Sequence, residues 1–230
     1  MRMNVFDRSN TFFALDFDRC LGDVDALYAA LEQAVEKSGY LSPSWLQDAR
    51  RHVEQTGGSF DALGHLRQVL RADELREILD DYLLPLVDSA SFLLPGAQEF
   101  IYTLRTSECR FGILTYGNPL WQHAKITKAG LTDIPACITD SPYKGATIAG
   151  WRMDGRYVLP RELGGGMSDY IILVDDKKAA FDMLPPESTR GYCISHTAKS
   201  ADTSQAATSE DVRLVQSFAE IVNYEQYILT

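Results

Sequence analysis

Positive charge is scarce in this sequence. Lys and Arg number 22 against 32 Asp and Glu among 230 residues, for a formal charge of −10. A surface of that sign repels a phosphate backbone, which nucleic-acid binding must neutralise with many cations. DNA, RNA and anionic membrane are therefore excluded as principal partners. A small anionic ligand is not, because a local set of donors with a metal can outweigh the global field. Long apolar runs are also missing, since no stretch approaches the roughly eighteen consecutive apolar residues of a membrane span. The opening MRMNVFDRSN lacks the apolar core of an export signal. Cysteine is sparse: Cys20, Cys109, Cys137 and Cys193 are scattered without a CxxC pair. They read as reduced, mostly buried thiols, and the cytoplasm is the expected compartment. There is no internal repeat.

What remains has an ordinary soluble balance, with 45% hydrophobic and 23% charged residues, enough for a sizeable core. A chain of this length is expected to form one domain, with room for a smaller inserted one. Phe12 to Leu15, in TFFAL, reads as a strand buried on both faces, because four apolar residues in a row leave no polar side to wet. It ends at Asp16 and Asp18. The pattern then turns helical. DVDALYAALEQAVEKSG carries apolar residues at helical spacing and stops at Gly39, and SPSWLQDARRHVEQTGG opens on a Ser42 cap with Pro43 and stops at Gly57 and Gly58. SFDALGHLRQVLR and ADELREILDDYLLPLV are two further helices, the second interrupted by Pro85. This makes residues 23–89 a helical insertion between 1–22 and 90–230.

Strand and helix then alternate. LLPGAQEFIYTLRTS is a helix, CRFGILTYGNP a buried strand into a Gly-Asn-Pro turn, LWQHAKITKAGL a helix and PACIT a short strand. YIILVDDKKAAFDML is a strand entering a helix through two acids, and RGYCISH is a fifth strand. Such alternation predicts an α/β fold, a doubly wound parallel sheet with helices on both faces. GWRMDGRYVLPRELGGGMSD suggests a hairpin or long loop around Asp154-Gly155. HTAKSADTSQAATSED reads as a flexible linker into a final amphipathic helix, DVRLVQSFAEIVNYEQYIL.

Binding sites of open parallel sheets lie beyond the carboxyl ends of the strands. That rule collects Asp16 and Asp18, Thr115, the loop TDSPYKG with Lys144, and Asp175 with Asp176. Four carboxylates suit a hard divalent cation such as Mg2+, while a hydroxyl and an ammonium suit phosphate oxygens. Each residue also has a plain structural reading. An isolated DxD is commonly a turn, Thr115 could cap, and adjacent acids could complement a helix dipole. Asn118 serves equally well as a turn former or a phosphate ligand. His52, His65, His123 and His196 have no ligand spacing and read as surface or internally satisfied side chains. Cys20 has no evident His partner to make it a nucleophile.

The order of these motifs resembles the haloacid dehalogenase superfamily of phosphotransferases. LDFDRCL matches its first motif, GILTYGN its second, YKG its third and IILVDD its fourth. The resemblance implies a sheet order of 5-4-1-2-3 and a small α-helical cap of the C1 type in the insertion. It implies Asp16 as nucleophile, Asp18 as acid and base, and Thr115, Tyr116 and Lys144 on the phosphoryl group. Mg2+ would be held by Asp16, the Asp18 backbone and Asp175 or Asp176. Lys144 has rivals in Lys125 and Lys128, which read as solvated surface lysines. Cys20 stands where Thr or Val is usual and is expected to affect packing. Gly145 stands where many capped members have Pro. The implied activity is a Mg2+-dependent phosphatase acting on a small phosphorylated metabolite. A phosphomutase with the same core and a non-catalytic phosphate-binding protein are the alternatives. A signalling receiver module, a third possibility, would carry its adjacent acids after the first strand and have no helical insertion.

Overall fold

The computed structural model describes residues 7–56, 59–87, 92–196 and 212–229. The Gly57-Gly58 stop and nearly all of the linker segment lie outside them, as does Ser89. The chain divides into two compact units. One comprises Met1–Gly22, Leu93–Thr115 and Thr132–Thr230, and the other Asp23–Phe92 and Tyr116–Leu131.

The first unit is built on a parallel sheet. β1 (Thr11–Leu15) is followed, after the helices of the second unit, by α6 (Ala97–Thr106) and β2 (Arg110–Tyr116). The second unit holds α1 (Val24–Ser38), α2 (Pro43–Gln55), α3 (Ala62–Val69), α4 (Ala72–Glu77), α5 (Leu84–Val87) and α7 (Pro119–Lys128). β3 (Ala136–Thr139) and α8 (Lys144–Gly150) come next, then β4 (Arg152–Met153), β5 (Arg156–Val158) and β6 (Met167–Ser168). β7 (Tyr170–Asp175), β8 (Thr189–Ile194), β9 (Val212–Val215), α9 (Phe218–Tyr224) and α10 (Gln226–Leu229) complete the chain. The main sheet runs β3-β2-β1-β7-β8-β9. The expected order of five strands is therefore present, with β9 added outside β8.

β1 is apolar from Phe12 to Leu15 because both of its faces are covered. Phe12 and Ala14 join a core with Ile148 of α8 and Tyr157 of β5. Phe13, on the other face, meets Phe100 of α6 edge-on, and Phe100 stacks on Phe218 of α9. The Asp154-Gly155 segment is a hairpin with φ of 51° and 82°, both in the left-handed region that a two-residue turn of this kind demands. β6 extends that hairpin into a three-stranded antiparallel sheet.

Within the second unit the sequence signals act as read at Gly39 and Ser42, and the structure adds a cap at Asp23. Asp23 caps α1, Gly39 ends it in the left-handed region at φ 70°, and Ser42 caps α2 ahead of Pro43. Pro85 does not interrupt its helix. Between α4 and α5 the residues Ile78–Leu83 form a π-helical turn, in which the Leu84 N–H donates to the Leu79 carbonyl. Proline has no N–H to give and its ring crowds the preceding turn, which this wider winding relieves.

Three further expectations are corrected. The segment 212–229 is not one helix: β9 pairs in parallel with β8 through Val212–Val215, and Ser217 then caps α9. Sheet pairing of a valine-flanked stretch outweighs its helical periodicity. The chain after Asp176 forms only a 3-10 turn, Lys178–Phe181, since Pro185 and Pro186 follow too soon for a longer helix. Lys125 is not a solvated surface lysine. It is 2% exposed, because α7 packs with the other helices of its unit and buries the face carrying Trp121, Lys125 and Ile126. Among the described residues no helix is long and apolar enough to cross a membrane.

Candidate active site

The sheet order puts β7 directly beside β1, in register from Thr11↔Tyr170 to Leu15↔Val174. The Asp16 N–H extends this ladder by donating to the Val174 carbonyl at 2.9 Å. Two buried strands thus deliver Asp16 and Asp175 to neighbouring points at their carboxyl ends. Thr115 ends the buried part of β2, on the other side of β1.

Lys144 reaches the same place from another direction. It is the first residue of α8 rather than part of the loop after β3, because the chain turns into a helix at Tyr143. Its Nζ donates to Asp16 Oδ1 and to Asp175 Oδ2, both at 2.5 Å. Lys144 and Asp16 are each 4% exposed and Asp175 is 1% exposed. Gly145 has a local reason to be glycine. A Cβ there would collide with the Asp182 carbonyl and lie 2.9 Å from the Leu184 nitrogen, so the absent side chain lets α8 lie close against 181–184.

The three acids differ in how they are satisfied. Asp175 is fully engaged, since its Oδ1 also accepts the Lys177 N–H at 2.8 Å. Asp176 Oδ1 is buried with no hydrogen-bond partner, and so is Thr115 Oγ1. One oxygen from each of Asp16, Asp175 and Asp176 lies within 4.8 Å of the others. Burial raises the Asp16 carboxyl to about 7; the Lys144 ammonium pulls it down, while Asp175 and Asp18 push it up. Asp176 is also raised, first by burial and then by the Asp16 and Asp175 charges. Burial works against the Lys144 ammonium, but the two carboxylates outweigh it and hold the proton on.

Asp18 sits on the turn that follows β1, where its backbone bridges Gly22 and its charge acts on Asp16. Tyr116 is the last residue of β2, and its carbonyl accepts from Gln122 Nε2 at 2.7 Å. The Asn118 side chain accepts from the Leu120 and Trp121 N–H groups, which makes it the cap of α7. Cys20 is fully buried, and burial pushes its thiol well above the ordinary range, which fits packing rather than nucleophilic chemistry. Sequence reasoning left Asp175 and Asp176 undivided. Only the positions of Lys144 and the Lys177 amide separate them.

The residues present suit a hard divalent cation. Three carboxylates face one ammonium, every available donor is oxygen, and one buried carboxylate oxygen has no other partner.

No protein-family model matches the chain, and no curated protein sequence does. Solved structures match well. A protein from Burkholderia xenovorans LB400, assigned to the haloacid dehalogenase-like hydrolases, has a TM-score of 0.66 over 96% of this chain and 99% of its own, at 19% identity. A variant of CbbY from Rhodobacter sphaeroides in complex with xylulose-1,5-bisphosphate has a TM-score of 0.53 over 92% and 95%, at 15% identity. YfnB from Bacillus subtilis, assigned as a HAD-hydrolase and bound to magnesium, has a TM-score of 0.52 over 94% and 97%, at 10% identity. Likeness at such identities speaks for architecture. The chain has the haloacid dehalogenase-like fold.

Proposed function

We propose that the protein is a phosphoric monoester hydrolase that works through an aspartyl-phosphate on Asp16, with Mg2+ as its cofactor and a small phosphorylated metabolite as its substrate. The observation that carries this reading is the buried Asp16, held by Lys144 beside Asp175 and Asp176, with an unpartnered Thr115 hydroxyl on the adjoining strand. The relatives of known structure that hold magnesium or a sugar bisphosphate are consistent with it.

In the first step an Asp16 carboxylate oxygen forms a bond to phosphorus as the ester oxygen departs. Asp18 supplies the proton that the leaving alkoxide requires. In the second step Asp18 takes a proton from water, whose oxygen attacks the same phosphorus and frees the Asp16 carboxylate with inorganic phosphate. Lys144 keeps Asp16 in place and lowers its proton affinity, opposing the effect of burial. Thr115 Oγ1 donates to a phosphoryl oxygen, and Tyr116 lies next to it in the chain. Asp16, the Asp18 carbonyl and Asp176 would hold Mg2+, with Asp175 anchoring Lys144 beside them. Bound there, the metal supplies charge that offsets the repulsion between an anionic nucleophile and an anionic phosphate. Residues 23–89 are the cap that selects the substrate.

Phosphate release from p-nitrophenyl phosphate with Mg2+ tests the reading, followed by a panel of sugar phosphates, nucleotides and phosphoacids. Release that stops on chelation and in Asp16→Asn is expected. A variant that retains the wild-type rate, or a wild type silent on the whole panel, overturns it. Transfer that yields an isomeric phosphate without free phosphate would assign a mutase.

A further inference from the structure

The turn after β1 carries Asp18 and is tied both within itself and to its surroundings. Within it the Gly22 N–H donates to the Phe17 carbonyl at 2.7 Å, the Cys20 N–H to the same oxygen at 3.3 Å, and the Arg19 N–H to the Gly22 carbonyl at 3.0 Å. Arg19 sits at φ 59°, a left-handed conformation that a side-chain-bearing residue adopts only when its surroundings enforce it. The enforcement comes partly from outside the turn. Cys20 Sγ approaches the Val174 carbonyl at 3.8 Å, a weak contact. The Cys20 carbonyl is 3.2 Å from His196 Nε2. A carbonyl can only accept, so this bond places the imidazole proton on Nε2.

His196 follows β8, and its ring is fixed in turn. It lies against Phe218 of α9, with ring centroids 5.4 Å apart, and Phe218 stacks on Phe100 of α6 at 5.0 Å. The Ser195 N–H donates to the Val215 carbonyl at 2.9 Å, so β9 holds the backbone from which His196 projects. Burial keeps the imidazole below its ordinary pKa and thus neutral near pH 7, with the Cys20 bond opposing that shift. β9 and α9, which the chemistry of the strand ends leaves without a task, thereby connect to the turn that bears Asp18.

We propose that His196 is a positioning residue of this site: its Nε2–H holds the Cys20 carbonyl and, through the turn, aims Asp18. The kinetic part of this inference rests on the phosphatase reading; the bond and its effect on the turn do not.

The test compares His196→Phe, which keeps an aromatic ring against Phe218 but has no donor, with His196→Gln, whose amide nitrogen can reach the position of Nε2. Both are measured as the full chain with Mg2+, after their melting temperatures show that they are folded. With p-nitrophenyl phosphate, His196→Phe is expected to lose about ten- to a hundredfold in kcat with KM little changed, and His196→Gln to recover most of it. A second readout needs no activity. Alkylation of Cys20, resolved from the other cysteines by mass spectrometry, should accelerate in His196→Phe and return toward wild type in His196→Gln, since the buried thiol reacts only when the turn opens. Unchanged labelling in His196→Phe, or equal loss in both variants, overturns the proposal. A wild type that releases no phosphate refutes the phosphatase reading alone, and the labelling still decides the brace.

Discussion

The Lys144 ammonium straddles the carboxylates of Asp16 and Asp175, 2.5 Å from each, so one cation ties the ends of two neighbouring strands. Removing a partner from a buried ion pair strands the remaining charge, at a cost of about 3–5 kcal/mol. In this triad Lys144 is shared, whereas Asp176 stands outside the pairing. Asp16 belongs to this ion-pair network and is also the proposed nucleophile, whereas Thr115 and Asp176 lie outside its hydrogen bonds, so substitutions at those two can separate stability from the proposed chemistry.

Thr115→Val gives the simplest separation. The Thr115 hydroxyl is buried without a partner, so replacing it by an isosteric methyl removes an unsatisfied group and leaves the strand packed. The melting temperature is expected to hold or rise, by the equivalent of about 1 kcal/mol at most. Phosphatase activity should fall by at least tenfold. Calorimetry paired with steady-state kinetics decides it. A large stability loss would show that the hydroxyl serves the fold.

The adjacent acids should behave oppositely. Asp175→Asn deprives Lys144 of one carboxylate and is expected to destabilise the metal-free protein, toward the lower end of the about 3–5 kcal/mol range because Asp16 remains. Asp176→Asn removes a half-buried carboxyl whose ionisation burial and the Asp16 and Asp175 charges oppose. It should leave the metal-free melting temperature equal or higher while abolishing the stabilisation that Mg2+ provides. Thermal melts of both variants, with and without Mg2+, read the difference directly.

Stability should respond to pH and Mg2+ together. Asp16 is raised to about 7 from an ordinary value of 3.8, and Asp176 is raised as well. A carboxyl raised on folding contributes stability that is fully present below its unfolded pKa and lost as pH climbs through the folded one. Metal-free protein should thus weaken between about pH 4 and 7 on account of Asp16, with Asp176 acting in the same direction. Mg2+ replaces the protons, so the melting shift it causes should be larger at pH 8 than at pH 5. Each kcal/mol corresponds to about 2–4 °C for a chain of this size. A shift of equal size at both pH values would mean that the ion binds elsewhere.

Gly145→Ala tests how Lys144 is aimed. The added Cβ meets backbone atoms of Asp182 and Leu184, which cannot rotate aside. The variant should lose about 1–3 kcal/mol, and its kcat should fall further than that of a variant destabilised equally at a remote core position. Activity that tracks stability alone would deny Gly145 any part in placing the lysine.

The apolar runs of residues 12–15 and 171–174 were legible because strands buried on both faces have no polar side to show. The acids that end them stood out for the same reason. Less legible was anything decided by a partner remote in the chain. Lys125 has the composition of a surface residue, and only the packing of α7 among the other helices of its unit buries it. Val212–Val215 has a periodicity that suits a helix, and pairing with β8 makes it a strand. Pro85 announced a disturbance without saying that the helix would widen through Ile78–Leu83 rather than end. Asp175 and Asp176 are adjacent and identical, so the sequence held no means of assigning them different partners.

The position of β1 between β2 and β7 also has a consequence during synthesis. Its β7 partner is translated roughly 160 residues later, a long-range closure of the kind that slows folding. Until then the nascent chain has one edge of a largely apolar strand without its neighbour, and such edges invite pairing with other chains. Asp16 acquires its Asp175 counterpart only when that closure occurs. A ribosome-bound fragment ending before residue 170 should therefore be prone to aggregate and blind to Mg2+, however well its helices have formed.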